Sequence, residues 1–186
     1  MDKIDSIKPL KNPKFIKPIE INYTHKSTQR KWEAVISHDS VAILLWHKGR
    51  DAFVFVKQLR ATVLNKNPKD GYMYELCAGI VDKECSNAQI AKEEILEECG
   101  YDVAVENLEK ISSFYTSVGI SGTHQTLYYA QVDDKIKINE GGGLQEEDIE
   151  VIYIPTKDAK TFMFDEKYQK TTGVMLSVYW FFENKT

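Results

Sequence analysis

The sequence predicts an α/β (α+β) fold in which a mixed β-sheet is covered by helices on both faces. Short runs rich in β-branched and aromatic residues alternate with segments of helical periodicity, in the order strand, helix, strands, helix. A charged, proline-containing arm and a separate pair of candidate strands precede this pattern. We therefore divide the chain into residues 1–38, an N-terminal arm and antiparallel β-hairpin, and residues 39–186, the main domain.

The element order rests on local patterns. Residues 19–23 and 30–36 are predicted to form the hairpin, and the main-domain strands are expected at 41–46, 52–58, 72–76, 111–116, 125–132 and 149–155. Residues 61–71 have the composition of a mobile surface loop, and helices are expected near Ala159 and over 172–182. Because an isolated hairpin is marginal in water, the N-terminal unit must dock on its own main domain or on a second copy of the chain.

Composition narrows the class of protein. With 186 residues, 42% of them hydrophobic, the chain can bury one core and a small accessory unit. A net charge of −4 and a pI near 5.6 argue against a partner that is a polyanion. Three cysteines fit a reducing compartment, and the absence of an apolar signal segment or of a run of ~20 apolar residues makes the cytoplasm the expected location.

A helix between Ser86 and Gly100 is the best-defined element. Ser86 followed by Gln89 has the spacing of a capping box, and Gly100 supplies a left-handed C-terminal cap. The apolar positions recur at helical spacing and form a narrow stripe made of Ala88, Ala91, Ile95 and Cys99. Ile90 falls outside this stripe, near the acidic side of the helix.

Glutamates cluster on another side of this helix, at Glu93, Glu94, Glu97 and Glu98. Like charges at this spacing destabilise a helix by ~0.2–0.5 kcal/mol per pair, and the last two face the negative end of the helix dipole. Hard divalent cations such as Mg²⁺ would neutralise such a cluster, since they prefer oxygen ligands. From the helix alone, a solvated acidic face remains the alternative.

The surrounding residues resemble the Nudix box, GX5EX7REUXEEXGU. The matching positions are Gly79, Glu94, Ile95, Glu97, Glu98, Gly100 and, loosely, Tyr101. Two positions depart: the first Glu of the box falls on Cys85, and its Arg falls on Glu93. The resemblance implies an α/β/α sandwich and a Mg²⁺-dependent hydrolase, with Mn²⁺ as a possible substitute.

Carrying the box over by position implies a metal site. Glu94 and Glu98 become direct ligands, Glu97 a ligand or a catalytic partner of metal-bound water, and the carbonyl of Ala78 a further ligand. A second acidic patch, Gln145-Glu146-Glu147-Asp148, follows three glycines. An ordinary solvated loop is the alternative there, but related sugar-nucleotide enzymes carry an acid in this loop. Glu147 aligns best as catalytic base or metal ligand, with Glu146 in reserve.

Three further residues are candidates for binding substrate. Arg60 ends a strand resembling the VxQxR strand of the same enzymes, where the Arg approaches phosphate, with surface solubility as the alternative. Glu75 matches the acid that precedes the box and could face substrate. Trp32 could stack a base, although packing at a dimer interface is the favoured interpretation.

Motifs across most of the main domain, among them ELCAG at 75–79 and SVGISG at 117–122, resemble the UDP-sugar pyrophosphatase branch. That resemblance implies cleavage of UDP-sugars to UMP and sugar 1-phosphate, and a homodimer in which the N-terminal hairpin reaches the partner. An ADP-ribose diphosphatase of the same fold is one rival. A non-catalytic nucleotide sensor, motivated by Cys85 and Glu93, is the other.

Overall fold

The N-terminal unit is a two-stranded antiparallel sheet. The computed structural model describes residues 2–13, 16–144 and 147–185, and its first strands are β1 (Lys17–His25) and β2 (Thr28–Ile36). Lys26 and Ser27 link them with φ angles of 47° and 63°, the left-handed geometry that suits a two-residue hairpin. The hairpin attaches to the main domain through the N–H of Val35, which donates to the carbonyl of Ile120 at 2.9 Å.

The main sheet is mixed, as predicted. Within the described residues it has seven strands: β3 (Ser40–His47), β4 (Ala52–Leu59), β5 (Tyr72–Glu75), β6 (Cys77–Ile80), β7 (Glu109–Thr116), β8 (Thr123–Val132) and β9 (Ile149–Pro155). β3 and β8 are parallel, and the other pairs are antiparallel.

The sheet splits at the point where β5 passes into β6. β3 pairs with β4 only through residues 45–47, and beyond them the two strands take different partners. β5 pairs with the end of β4, whereas β6 pairs with the start of β3. The chain around Leu76 therefore crosses from one strand to the other and brings Ala78 and Gly79 to the opening between them.

Helices cover both faces of the sheet, which confirms the predicted α/β/α arrangement. The helices are α1 (Ala61–Lys66), α2 (Asn87–Glu94), α3 (Thr156–Phe164) and α4 (Thr172–Asn184). Side chains alternate along each strand, so that Val41 and Ile43 pack on the α2 side and Ala42 and Leu44 on the side of α3 and α4. No helix in the described parts of the chain has the length and apolar character needed to cross a membrane.

The predicted loop over residues 61–71 is wrong in its first half, which forms α1. Arg60 is the N-cap residue, and the helix ends where Asn67 donates its N–H to Val63. Leu64 is buried, so that tertiary packing stabilises a helix of six residues that is too short to form alone. The turn residues from Asn67 to Gly71 end it.

The helix predicted between Ser86 and Gly100 has both expected caps, but its last turn, after α2, is not α-helical. Ser86 caps Gln89 at 3.2 Å, while the Gln89 side chain donates to Glu93 at 3.1 Å instead of completing the box. Gly100 has the expected left-handed φ of 78°. Between them the helix widens into a π-helical turn, Ile95–Cys99. Ile90, the residue outside the predicted stripe, is buried in the core together with Ile95 and Cys99.

Candidate active site

Two glutamates of the central helix are held against the β5–β6 crossing. The N–H of Ala78 donates to Glu98 Oε2 at 2.9 Å. Glu94 lies so close to Gly79 that a Cβ atom there would overlap its carboxylate. Glu98 lies in the π-helical turn and Glu94 directly precedes it, and such turns are common at functional sites. The glycine of the motif is thus required by the space that Glu94 occupies.

Both carboxylates are costly to ionise in this position. Burial raises the pKa of Glu98 to about 7, and the charges of Glu94 and Glu147 add to the rise. Burial likewise raises the pKa of Glu94 to about 7, with repulsion from Glu97 as the next cause. Glu98 is only 6% exposed, so its charge can be stabilised by a cation more effectively than by water. The set therefore favours binding of a positive ligand.

The glycine-rich loop before β9 is fastened to the end of the same helix. The N–H of Gly142 donates to the carbonyl of Glu98 at 2.9 Å, and that of Gly143 to the carbonyl of Glu97 at 3.1 Å. Gly141 has a φ of 73° and packs directly on the Glu98 carbonyl, so that a side chain there would collide with the backbone. These contacts satisfy carbonyls that the helix end would leave free.

This loop carries Glu147 to the site. Its Oε2 accepts the N–H of Leu144 at 2.8 Å, and its side chain packs on Gly143, which has a φ of 82°. Gly143 donates its N–H to the carbonyl of Glu97, so Glu147 packs on a residue that joins the loop to the helix, and its charge raises the pKa of both Glu94 and Glu98. Glu146, the reserve candidate, lies outside the described residues.

Arg60 and Glu75 form one unit. Arg60 Nε and Nη2 each lie 2.8 Å from one oxygen of Glu75, a bidentate pair. The bond to Glu75 raises the pKa of Arg60, and the charges of Glu98 and Glu147 add to it. The Arg60 side chain is 46% exposed and that of Glu75 is 12% exposed, so Arg60 presents a positive charge to solvent while Glu75 fixes its orientation.

The donor set fits a hard divalent cation in its chemistry. The candidates are all oxygen donors: the Ala78 carbonyl, Glu94, Glu97, Glu98 and Glu147. Nevertheless, in the part of the chain that is described, no three acidic, His or Cys side chains are already arranged closely enough to hold a metal ion.

Trp32 contacts the loop between β7 and β8 and not these carboxylates. It is 52% exposed, and its indole N–H donates to the carbonyl of Gly119 at 3.0 Å. Together with the Val35 bond, this contact ties the hairpin to the loop between β7 and β8. The structure therefore places Trp32 at the junction of the two units and does not bring it to the other site residues.

Glu93, one of the two departures from the box, takes part in a surface ion pair. Lys83 Nζ lies 2.7 Å from Glu93 Oε2, and Gln89 donates to the other oxygen of Glu93. Lys83 lies in the loop before α2, and Glu93 lies on the helix. Cys85 is exposed in the same loop. Glu93, at the position of the motif's Arg, is therefore ion-paired with Lys83. The sequence did not indicate a role for Lys83.

The fold and the carboxylate set are typical of a hydrolase that acts on nucleotide diphosphates. Comparisons with known proteins support this class. No protein-family model matches the chain. The uridine diphosphate glucose pyrophosphatase NUDT14 of Bos taurus is 35% identical over an alignment covering 90% of this chain and 88% of the relative. The GDP-mannose pyrophosphatase of Cronobacter sakazakii is 37% identical, with 74% of each protein covered.

A solved structure extends the agreement to the fold. The crystal structure of an ADP compounds hydrolase matches 100% of this chain and 97% of its own, with a TM-score of 0.71 and 14% identity. The chain belongs to the Nudix hydrolase superfamily, in the branch of nucleotide-sugar pyrophosphatases. The prediction of an enzyme is confirmed with it.

Proposed function

We propose that the protein hydrolyses the diphosphate of a UDP-sugar such as UDP-glucose, in the presence of Mg²⁺, to UMP and sugar 1-phosphate. The observation that carries the proposal is the pair Glu94 and Glu98, held at the Ala78–Gly79 crossing with pKa values raised to about 7. The relative named a UDP-glucose pyrophosphatase, 35% identical over nearly the whole chain, supports the choice of substrate.

The metal-holding residues in this proposal come from the β5–β6 crossing, the end of the central helix and the glycine-rich loop. Glu94 and Glu98 would bind the cation directly, while the Ala78 carbonyl, Glu97 and Glu147 would provide further oxygen donors. When bound, Mg²⁺ supplies a Lewis acid that polarises phosphoryl oxygens and lowers the pKa of its water, and Mn²⁺ serves as a substitute.

The protein's own groups bind the diphosphate and move the proton. Hydrolysis adds one water across the P–O–P bridge, and the proton of the attacking water goes to a carboxylate oxygen. Glu147 is exposed and its Oε2 is engaged by Leu144, which leaves Oε1 as the base, with Glu97 as the second candidate. Arg60, fixed by Glu75, offers Nη1 to a phosphate oxygen.

An ADP-ribose diphosphatase is the alternative that a specific observation favours. The matching solved structure is named an ADP compounds hydrolase, and it covers the whole chain. A non-catalytic sensor is less favoured, because the carboxylate set is complete and Glu93 is paired with Lys83. A reducing, cytoplasmic setting is part of the proposal, since Cys77, Cys85 and Cys99 are all free thiols.

A side-by-side measurement tests the proposal. Steady-state kinetics with Mg²⁺ on UDP-glucose, GDP-mannose and ADP-ribose, with products separated by chromatography, should give the highest kcat/KM for UDP-glucose and the products UMP and glucose 1-phosphate. A preference for ADP-ribose by about tenfold, or 1.4 kcal/mol in transition-state binding, would support the alternative. No turnover of any of the three would support the sensor.

A further inference from the structure

A cavity of about 400 Å³ lies beside the candidate metal site. Ala42, Leu76 and Phe114 provide apolar surface in it, and Glu75 and Ala78 form part of its wall. Ala78 is also the residue whose N–H holds Glu98, so the cavity and the carboxylates share a residue of β6 at the split in the sheet. The volume of the cavity is in the range of small-molecule sites.

The polar groups of this cavity are mostly hydroxyls. They belong to Ser117, Thr171 and Thr172, and to Thr116, whose hydroxyl lies 2.9 Å from that of Thr123; Gln125 adds an amide. Thr171 is the N-cap residue of α4, yet its side chain makes no capping hydrogen bond. Gln125 Nε2 donates to Ser40 Oγ at 3.0 Å, which fixes the orientation of the amide. Each hydroxyl can both donate and accept a hydrogen bond.

This chemistry matches a hexose better than a base or a phosphate. A hexose carries hydroxyls around its edge and apolar C–H faces, whereas a base binds by stacking between aromatic rings. Among the described residues that line the cavity, Phe114 is the single aromatic and no side chain is cationic. Trp32 is not among them, and its N–H is engaged by Gly119.

We propose that this cavity binds the sugar half of the substrate, and that its hydroxyl lining selects a neutral hexose whichever base is attached. The inference rests on the proposed function. It also accounts for relatives named for both UDP-glucose and GDP-mannose, since each carries a hexose on a different nucleotide. The nucleoside then lies outside the cavity, beyond the diphosphate.

Gly173 provides the variant that tests this assignment. It lines the cavity, and a Cβ atom there would lie 3.4 Å from Leu76 Cδ1, 3.8 Å from Thr171 Oγ1 and 4.0 Å from Gln125 Oε1. These are ordinary contacts for a Cβ atom, so Gly173→Ala should fold; the longer side chain of Gly173→Leu would occupy the cavity, and its folding is checked by the midpoint of urea unfolding. Gly49→Leu is the matched control, because a Cβ there meets only the His47 ring at 3.5 Å or more and Gly49 does not line the cavity.

The substrate panel separates sugar from base. Gly173→Leu should raise the KM for UDP-glucose about tenfold or more, and that for GDP-glucose by the same factor, because the sugar is the same. It should raise the KM for UDP-xylose less, since that sugar lacks the hydroxymethyl group. Gly173→Ala should have a smaller effect, and Gly49→Leu none. An effect that follows the base rather than the sugar, or no effect of Gly173→Leu on any substrate, overturns the assignment.

Measuring the binding of the two products, glucose 1-phosphate and UMP, tests the sugar site without requiring turnover. Calorimetry with Mg²⁺ should show that Gly173→Leu weakens glucose 1-phosphate about tenfold or more and leaves UMP unchanged. If the wild-type enzyme is inactive but Gly173→Leu still weakens glucose 1-phosphate alone, the sugar site is supported and the proposed hydrolysis is refuted. Selective loss of UMP, or no binding of glucose 1-phosphate to the wild type, would refute the sugar site.

Discussion

Gly79 and Glu94 occupy one space: the carboxylate of Glu94 lies where a Cβ atom on residue 79 would be. Gly79→Ala should therefore leave the fold intact, because the atoms in its way are the end of a flexible side chain. The displaced carboxylate should lower kcat/KM by about 10²-fold, or ~2.7 kcal/mol in transition-state binding, and raise the Mg²⁺ concentration for half-maximal rate.

The control for this prediction is Gly49→Ala, since a Cβ there makes only ordinary contacts with His47. Far-ultraviolet circular dichroism and the midpoint of urea unfolding should be close to wild type for both variants. A Gly79→Ala enzyme with wild-type kcat/KM and Mg²⁺ dependence would show that Glu94 is not needed at this position.

Glu98→Gln should separate catalysis from stability. Loss of a metal ligand should reduce kcat by about 10³-fold or more, whereas the amide can still accept the N–H of Ala78. Metal-free protein should unfold at the same or higher urea concentration, since a buried carboxylate is gone. An active Glu98→Gln enzyme would contradict the metal assignment.

The pH dependence of that stability has a defined sign. In metal-free protein the pKa of Glu98 rises from 4.5 to about 7, so the folded state binds the proton more tightly than the unfolded state. The stability from this neutral carboxyl is fully present below pH 4.5 and is lost as pH rises through about 7. Gln cannot ionise, so the advantage of Glu98→Gln in the free energy of unfolding should grow to ~1–3 kcal/mol by pH 8. Urea unfolding in EDTA at pH 5 and pH 8 measures it, and a less stable variant at pH 8 would contradict it.

Glu147→Gln tests the loop acid. The amide keeps the size of the side chain and the contact to Leu144, so substrate binding should change little. Without a base or ligand oxygen, kcat should fall by about 10²–10⁴-fold while KM stays within about threefold. Glu146→Gln is the matched control and should be mild. The reverse ranking of the two variants would transfer the role to Glu146.

Features set by neighbouring residues could be predicted from the sequence. The caps at Ser86 and Gly100 follow from local hydrogen bonding, and both are present. The convergence of Glu94 and Glu98 follows from their spacing on one helix. The alternating burial along β3 follows from the two-residue period of a strand.

Features that depend on distant packing could not be predicted. The π-helical turn forms where the helix meets strands remote in sequence, and no local signal marks it. The pairing of Lys83 with Glu93 requires the path of a loop, and α1 is stabilised by burial of Leu64 rather than by its own propensity. The docking of Gly142 on the carbonyl of Glu98 joins segments more than forty residues apart.

The last prediction concerns the N-terminal hairpin, which its own main domain covers only in part. It is tied to the loop between β7 and β8 by the bonds of Val35 and Trp32, yet it leaves large apolar side chains in solvent. Their exposed fractions are 43% for Ile21, 39% for Tyr23, 52% for Trp32 and 51% for Ile36.

An apolar surface on such a small unit is stabilised when a second copy of the chain buries it. Light scattering at micromolar concentration should therefore give twice the chain mass of 21.4 kDa. Ile21→Glu should shift the protein toward monomer, while Lys11→Glu, in the N-terminal arm outside the hairpin, should not. A wild-type protein that stays monomeric across this range would show that the hairpin serves its own chain alone.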